Sequence, residues 1–206
     1  MHVGHLTGVG RHGVTHLRHR CSIQRPNVSA MTDSGSVGLK VRDAVPADAS
    51  QVADVHVRSW RSAYRGLIDQ DYLDSLTPES WTHRYQFGRM GLRVPTTLVA
   101  VADGTICGFA SVGLCRDDDL ADHGELVAIY VDPRYVNTGV GRLLVGAARE
   151  RLADRGFAAA TLWVLRDNDR ARRFYERDGW HPDGARRTRS YGGRPTEEVR
   201  YRRTLG

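Results

Sequence analysis

The chain has 206 residues, 40% of them apolar and 26% charged, enough to bury the core of one domain and ordinary for a globular protein. No apolar run approaches the roughly 18–20 residues of a bilayer-spanning helix, so no membrane span is expected. The formal charge of +6 suggests nucleic acid until it is divided: Arg11, Arg18, Arg20 and Arg25, with no acid, give residues 1–30 a charge of +4, which leaves +2 for the rest.

Residues 1–30 hold five of the nine histidines, show neither helical nor strand period, and lack the apolar core of a secretory signal. Gly8-Val9-Gly10-Arg11-His12-Gly13 spells a dinucleotide-binding pattern, but no strand precedes it and no helix follows, so the mechanism behind the pattern is missing. His12 and His16 have the spacing of a helical metal pair, yet a disordered leader over residues 1–37 is the favoured reading. Met31 is then a candidate for the true start, and residues 38–206 form a single domain. Cys21, Cys107 and Cys115 are odd in number and lack metal or redox spacing, so they read as reduced thiols of a cytoplasmic protein, and no metal is expected.

Leu39 to Arg42 alternates like a first strand. Pro46-Ala47-Asp48 opens a helix with Val52, Val55, His56, Ser59 and Trp60 along one face. Thr77 as cap, Pro78 at the first helical position and Glu79 predict a second helix over Thr77–Met90. Thr96 to Ala102 and Ile106 to Leu114 are strands joined by an Asp103-Gly104 hairpin turn. The acidic loop Asp117-Asp118-Asp119 follows, and then the apolar strand Glu125 to Val131.

After that strand come Asp132-Pro133-Arg134-Tyr135-Val136-Asn137-Thr138-Gly139-Val140-Gly141-Arg142 and an amphipathic helix with Val140, Leu143, Leu144, Ala147, Ala148 and Leu152 as its buried stripe. A strand feeding a glycine-containing loop that opens a helix is a device for holding phosphate: the first helical N–H groups are unpaired, the dipole adds positive charge, and glycine lets an anion approach. Ala158 to Val164 is a further buried strand, Asn168 to Arg177 a helix ended by Gly179, and Glu198 to Thr204 a last strand. The basic tail Arg186 to Arg203 reads as a solvated strand face. Hairpin strands followed by alternating helices and strands make an α/β layer fold with a mixed sheet.

Two of these segments resemble the GNAT superfamily of acetyl-coenzyme A-dependent N-acetyltransferases. Val136-Asn137-Thr138-Gly139-Val140-Gly141 is similar to its pyrophosphate motif, and Asn168-Asp169-Arg170-Ala171-Arg172-Arg173-Phe174-Tyr175, running on to Gly179-Trp180, is similar to its second motif. Val136 departs from the family, which carries Arg or Gln there; the backbone amides of 137–142 remain, with Asn137, Thr138 or Arg142 as partial replacements. The lost charge-assisted bond costs about 1.5–3 kcal/mol at most. The resemblance implies a central mixed, mostly antiparallel sheet flanked by helices, over roughly Leu39 to Leu205.

It also implies direct transfer of acetyl from acetyl-CoA, as co-substrate, to a primary amine in a ternary complex. Glu125 matches the position of a general base and Tyr175 the tyrosine that protonates the leaving thiolate. Ile129, Tyr130 and Val131 lie on a strand that splays from its neighbour so that the pantetheine arm can pair with it. Asn137, Thr138, Gly139, Val140, Gly141 and Arg142 hold the pyrophosphate, while Asn168 and Ala171 flank the arm. Cys107 and Cys115 read as buried strand residues rather than nucleophiles. For the acceptor, a small molecule or a peptide amine, Trp60, Tyr64, Arg65, Gly66 and Leu67 fall where the family walls that site, and Asp117, Asp118, Asp119 and Asp122 could attract a cation. A monomer or a homodimer is compatible with all of this. Two other readings stay open: a non-catalytic acyl-CoA-binding or sensing domain, suggested by Val136, and an RNA-associated protein using the arginine-rich tail.

Overall fold

In the computed structural model, which describes residues 38–89 and 94–206, Lys40–Asp43 forms the first strand, β1. The leader, its Gly8–Gly13 pattern and the His12–His16 pair lie outside the described residues. A single turn of tighter helix at Pro46–Asp48 leads into α1, Ala49–Ala63, whose buried face is Val52, Val55, His56, Ser59 and Trp60 as expected, widened by Ala53 and Val57. Asp48 is fixed by Arg42, whose two guanidinium nitrogens donate at 2.6 and 2.9 Å.

The helix expected over Thr77–Met90 is the first correction. A short helix, α2 (Gln70–Ser75), precedes it unannounced, capped by the Asp69 carboxylate on the Tyr72 N–H. The next, α3, covers only Pro78–Thr82, with Thr77 as its cap; Met90 lies outside the described residues. Trp81 stacks on His56 with ring centroids 3.9 Å apart, which fixes the chain against α1. It then turns away through His83 and Arg84 and passes Gly88 in a left-handed conformation (φ 80°) that ends helical geometry.

Strand β2 (Thr96–Ala102) and strand β3 (Thr105–Leu114) form the expected hairpin, and Asp103 (φ 47°) with Gly104 (φ 77°) supplies the two positive φ angles that a tight turn matched to strand twist needs. Gly124–Val131 is β4. Helix α4 spans Val140–Asp154 and buries Val140, Leu144, Val145, Ala148 and Leu152. Leu143, expected in that stripe, is 40% exposed: the buried row runs Val140, Leu144, Ala148 and Leu152 at intervals of four, and Val145, three residues before Ala148, widens it on the side away from Leu143. Ala159–Leu165 is β5, Asp169–Arg177 is α5, and the tail is a long hairpin of β6 (His181–Tyr191) and β7 (Arg194–Thr204). The last strand thus begins before Glu198, and β6 is an edge strand with mostly exposed side chains.

The seven strands form one sheet in the order β1-β2-β3-β4-β5-β7-β6, antiparallel except for β4 with β5. Alternation along β3 sends Phe109 to the α1 face and Ala110 to the α4 face, so helices cover both sides. Gly108 lies under α4, where a Cβ would come within 2.9 Å of Leu144 Cδ1 and of the Tyr130 carbonyl oxygen. Three features of β4 position the site. It bulges where Leu126 and Ala128 face Val112 and Ser111, leaving Val127 unpaired. It joins β5 only at Gly124 and Glu125, after which the two strands part. Its end is bound to α1, where the Ser59 hydroxyl donates to the Val131 carbonyl at 2.8 Å. No helix among the described residues is long and apolar enough to cross a membrane.

Candidate active site

The parting of β4 and β5 opens a cavity of about 900 Å³, walled by Leu126–Val131 on one side and Trp163–Leu165 on the other. Backbone N–H and C=O groups that a closed sheet would pair are left facing this gap. At the α4 end the chain passes through left-handed backbone at Asn137 (φ 67°) and Gly139 (φ 92°). Gly139 is the N-cap residue of α4 and offers no side chain to cap it, so the first-turn N–H groups remain donors.

Side chains add to that positive end. Arg142 on α4 and Arg170, Arg173 and Arg177 on α5 line the cavity, and none of the four makes an ion pair or hydrogen bond among the described residues. Their i, i+3, i+7 spacing puts the three α5 arginines on one face, next to Phe174 and Tyr175. A row of unpaired guanidinium groups beside an uncapped helix start is a site for a polyanion. The side chain of Asn168 caps α5, its Oδ1 accepting from the Ala171 N–H at 3.1 Å.

Tyr175 is buried with its ring edge-on to Phe174 (5.3 Å) and Trp180 (6.5 Å), and it lines the cavity. Its hydroxyl has no hydrogen-bond partner among the described residues. Burial, reinforced by Tyr130, raises its pKa, and burial foremost raises those of Tyr64, Tyr130 and Tyr191, so these four of the tyrosines lining the cavity keep their protons at neutral pH.

Glu125 is 2% exposed and paired rather than solvated. Arg116 donates to it from Nε at 2.9 Å, from Nη2 at 2.5 Å and from its backbone N–H at 3.2 Å. A second carboxylate, Glu198 on β7, is 6% exposed; it accepts from the Tyr191 hydroxyl and from Arg187 Nε, both at 2.6 Å. On the α1 side the wall is aromatic: Trp60, Tyr64, Tyr72, Trp81 and Tyr191 around Tyr130. Behind it lies His56, 5% exposed, whose pKa burial and then Arg84 lower to about 3.

Of the expected site residues, Glu125, Ile129, Tyr130, Val131, Asn137, Gly139, Gly141, Arg142, Asn168, Ala171 and Tyr175 line this one cavity. Thr138 and Val140 do not: the Thr138 hydroxyl donates to the Tyr135 carbonyl at 2.6 Å, and the Val140 side chain is in the core, so each can offer only its backbone. Trp60 and Tyr64 reach the cavity, whereas Arg65, Gly66 and Leu67 do not. None of the four acids of the acidic loop lines the cavity, and three of them are occupied elsewhere. Asp117 and Asp119 hold Arg200, and Asp122 pairs with His123. Arg186, Arg187 and Arg203 of the basic tail likewise pair with Glu197, Glu198 and Asp178. Cys107 and Cys115 are both buried. Sequence reasoning missed Arg170, Arg173, Arg177, Arg189, Tyr191 and Glu198; the spacing of the three α5 arginines beside Tyr175 was the signal available for them.

The family model described as the acetyltransferase (GNAT) family matches residues 56–180. The chain is 34% identical over 131 residues to an uncharacterized N-acetyltransferase of Bacillus subtilis, covering 63% of this chain and 73% of that one. It is 24% identical over 149 residues to a spermidine N(1)-acetyltransferase of Thermoplasma acidophilum, covering 70% and 89%. Among solved structures, an N-acetyltransferase of Thermoplasma acidophilum in complex with coenzyme A superposes with a TM-score of 0.63 at 20% identity, covering 81% of this chain and 99% of that one. An acetyltransferase from Salmonella typhimurium with its cofactor acetyl-CoA gives 0.61 at 20% identity, covering 82% and 94%.

Proposed function

The chain belongs to the acetyltransferase (GNAT) family and is an N-acetyltransferase, and from that premise we propose that it passes the acetyl group of acetyl-CoA directly to a primary amine bound in the same cavity. The observation that carries the cofactor reading is the coincidence of the uncapped α4 start with four unpaired cavity arginines, a fit to a pyrophosphate and a phosphomonoester on one ligand. It also answers the departure at Val136. The side-chain donor missing there is replaced, several times over, from α5.

In this reading the thioester lies in the β4–β5 gap, where N–H groups of β4 stabilise the oxygen as it gains charge. The amine nitrogen attacks the carbonyl carbon, the C–S bond breaks, and the sulfur takes a proton from Tyr175. The proton lost by the amine leaves through water to Glu125. A carboxylate offers about four acceptor sites, and Arg116 fills three at Glu125, so one remains for that water.

Thermal unfolding tests the cofactor assignment. Acetyl-CoA at about 100 times its dissociation constant should stabilise by about 2.7 kcal/mol, a melting shift of about 5–11 °C. Arg170→Glu with Arg173→Glu should remove the shift and leave the unliganded melting temperature in place, since neither side chain has a partner to lose among the described residues. No shift at millimolar acetyl-CoA would sink the assignment.

A further inference from the structure

The charges on the cavity wall bear on the acceptor. Seven arginines and two glutamates line the cavity. Coenzyme A brings about four negative charges on its phosphates, which the four unpaired arginines of α4 and α5 match. Three arginines remain, Arg116, Arg187 and Arg189, against Glu125 and Glu198. Arg116 is bound to Glu125. Arg187 is committed twice, donating from Nε to Glu198 and lying 4.0 Å over the Trp163 ring. Arg189 is different. It makes no hydrogen bond among the described residues, its Nε stands 3.6 Å from Glu198, and its side chain is 49% exposed.

Alternation along β6 puts Arg187, Arg189 and Tyr191 on one face, and all three line the cavity beside the aromatic wall. The hairpin tip beyond them is seated on α2, where a Cβ on Gly192 would fall on the Tyr72 Cβ, so the tip closes that side of the chamber. We propose that the acceptor is a small amino acid-like molecule whose carboxylate is received by Arg189, with its apolar part against Trp60, Tyr64 and Tyr191. This rests on the acetyl-transfer reading above and names the substrate class for it. A polyamine is disfavoured by the same wall. Its second ammonium would need a carboxylate whose charge is not already matched, while Glu125 and Glu198 are each charge-paired with arginines and Arg189 repels it.

The test uses the full-length protein loaded with coenzyme A and follows tryptophan fluorescence. L-phenylalanine and L-methionine, their carboxamides, and spermidine are titrated in, and coenzyme A release from acetyl-CoA is measured with each. The free acids should bind about tenfold or more tighter than the carboxamides, the effect of one charge-assisted pair, and Arg189→Gln should bring that ratio close to one. Equal or tighter binding of carboxamide or spermidine, an unchanged ratio in the variant, or no binding of either acid overturns the proposal. Failure of the acetyl-transfer reading would look different: no acetyl-CoA melting shift in the unaltered protein.

Discussion

Tyr175→Phe should lower turnover by about 10²–10³-fold, within the range for loss of a general acid, while the acetyl-CoA melting shift persists. The expectation rests on what the substitution removes. Phenylalanine keeps the edge-on packing on Phe174 and Trp180 and the burial of the ring. The hydroxyl has no partner among the described residues, so its loss leaves none of them unsatisfied and stability should change little. What disappears is a donor facing the cavity. Burial and Tyr130 raise its pKa, so the hydroxyl keeps its proton, and can act as a donor, throughout the neutral range. The variant should accordingly lose kcat while the KM for acetyl-CoA stays near its original value. A fall in turnover of less than about threefold would remove Tyr175 from the chemistry and make it a packing residue of α5.

How far the sequence could be read depended on the range of the interactions. The β2–β3 hairpin was legible because Asp103-Gly104 is a local requirement met by two adjacent residues. The α4 loop and the Asn168–Tyr175 stretch were legible as a pair, since each is a short contiguous run at a helix start that resembles one of the family's two motifs. Helix α2 was not, because Gln70, Asp71, Asp74 and Ser75 leave only Tyr72 and Leu73 to announce it. The helix expected over Thr77–Met90 read local propensity correctly at its start and missed Trp81, which tertiary packing on His56 claims. The acceptor wall shows the limit most clearly. Arg189 and Glu198 are neighbours only through the β6–β7 register, in which Arg187 faces Glu198, and Tyr191 reaches Trp60 across the whole chain. Charged residues on an edge strand carry no apolar alternation, so the tail read as a solvated face, and the part of it that turns inward was invisible.

Asp132→Ala should destabilise the protein by about 3 kcal/mol, the lower part of the range for breaking a buried ion pair, and lower the melting temperature by about 6–12 °C. Asp132 has no exposed surface and sits where β4 ends and the loop to α4 begins. Its carboxylate accepts from Arg58 Nε at 2.8 Å, from Arg134 Nε at 3.0 Å and Nη2 at 2.9 Å, and from the Arg134 backbone N–H at 3.0 Å. Both arginines are partly exposed and can be resolvated after the substitution, which keeps the cost toward the low end. Acid pH supplies a second readout. Burial would raise the Asp132 pKa, but the Arg134 and Arg58 hydrogen bonds outweigh it and hold it at about 2. A depressed carboxylate stabilises above its unfolded value of about 4 and loses that contribution as pH falls toward 2. His56 acts over a different window: its folded pKa of about 3 lies below the unfolded value near 6.5, so the unfolded chain takes up a proton first and stability falls from about pH 6.5 downward. Melting temperatures of the variant should therefore keep the decline between about pH 6.5 and 4 and lose much of the one below about pH 4. An unchanged acid limb below that point would mean that Asp132 does not hold the β4 end through its charge. Because the loop it anchors runs on to Gly139 and the start of α4, the same variant should also show a smaller acetyl-CoA shift, linking the stability of the strand end to the cradle built upon it.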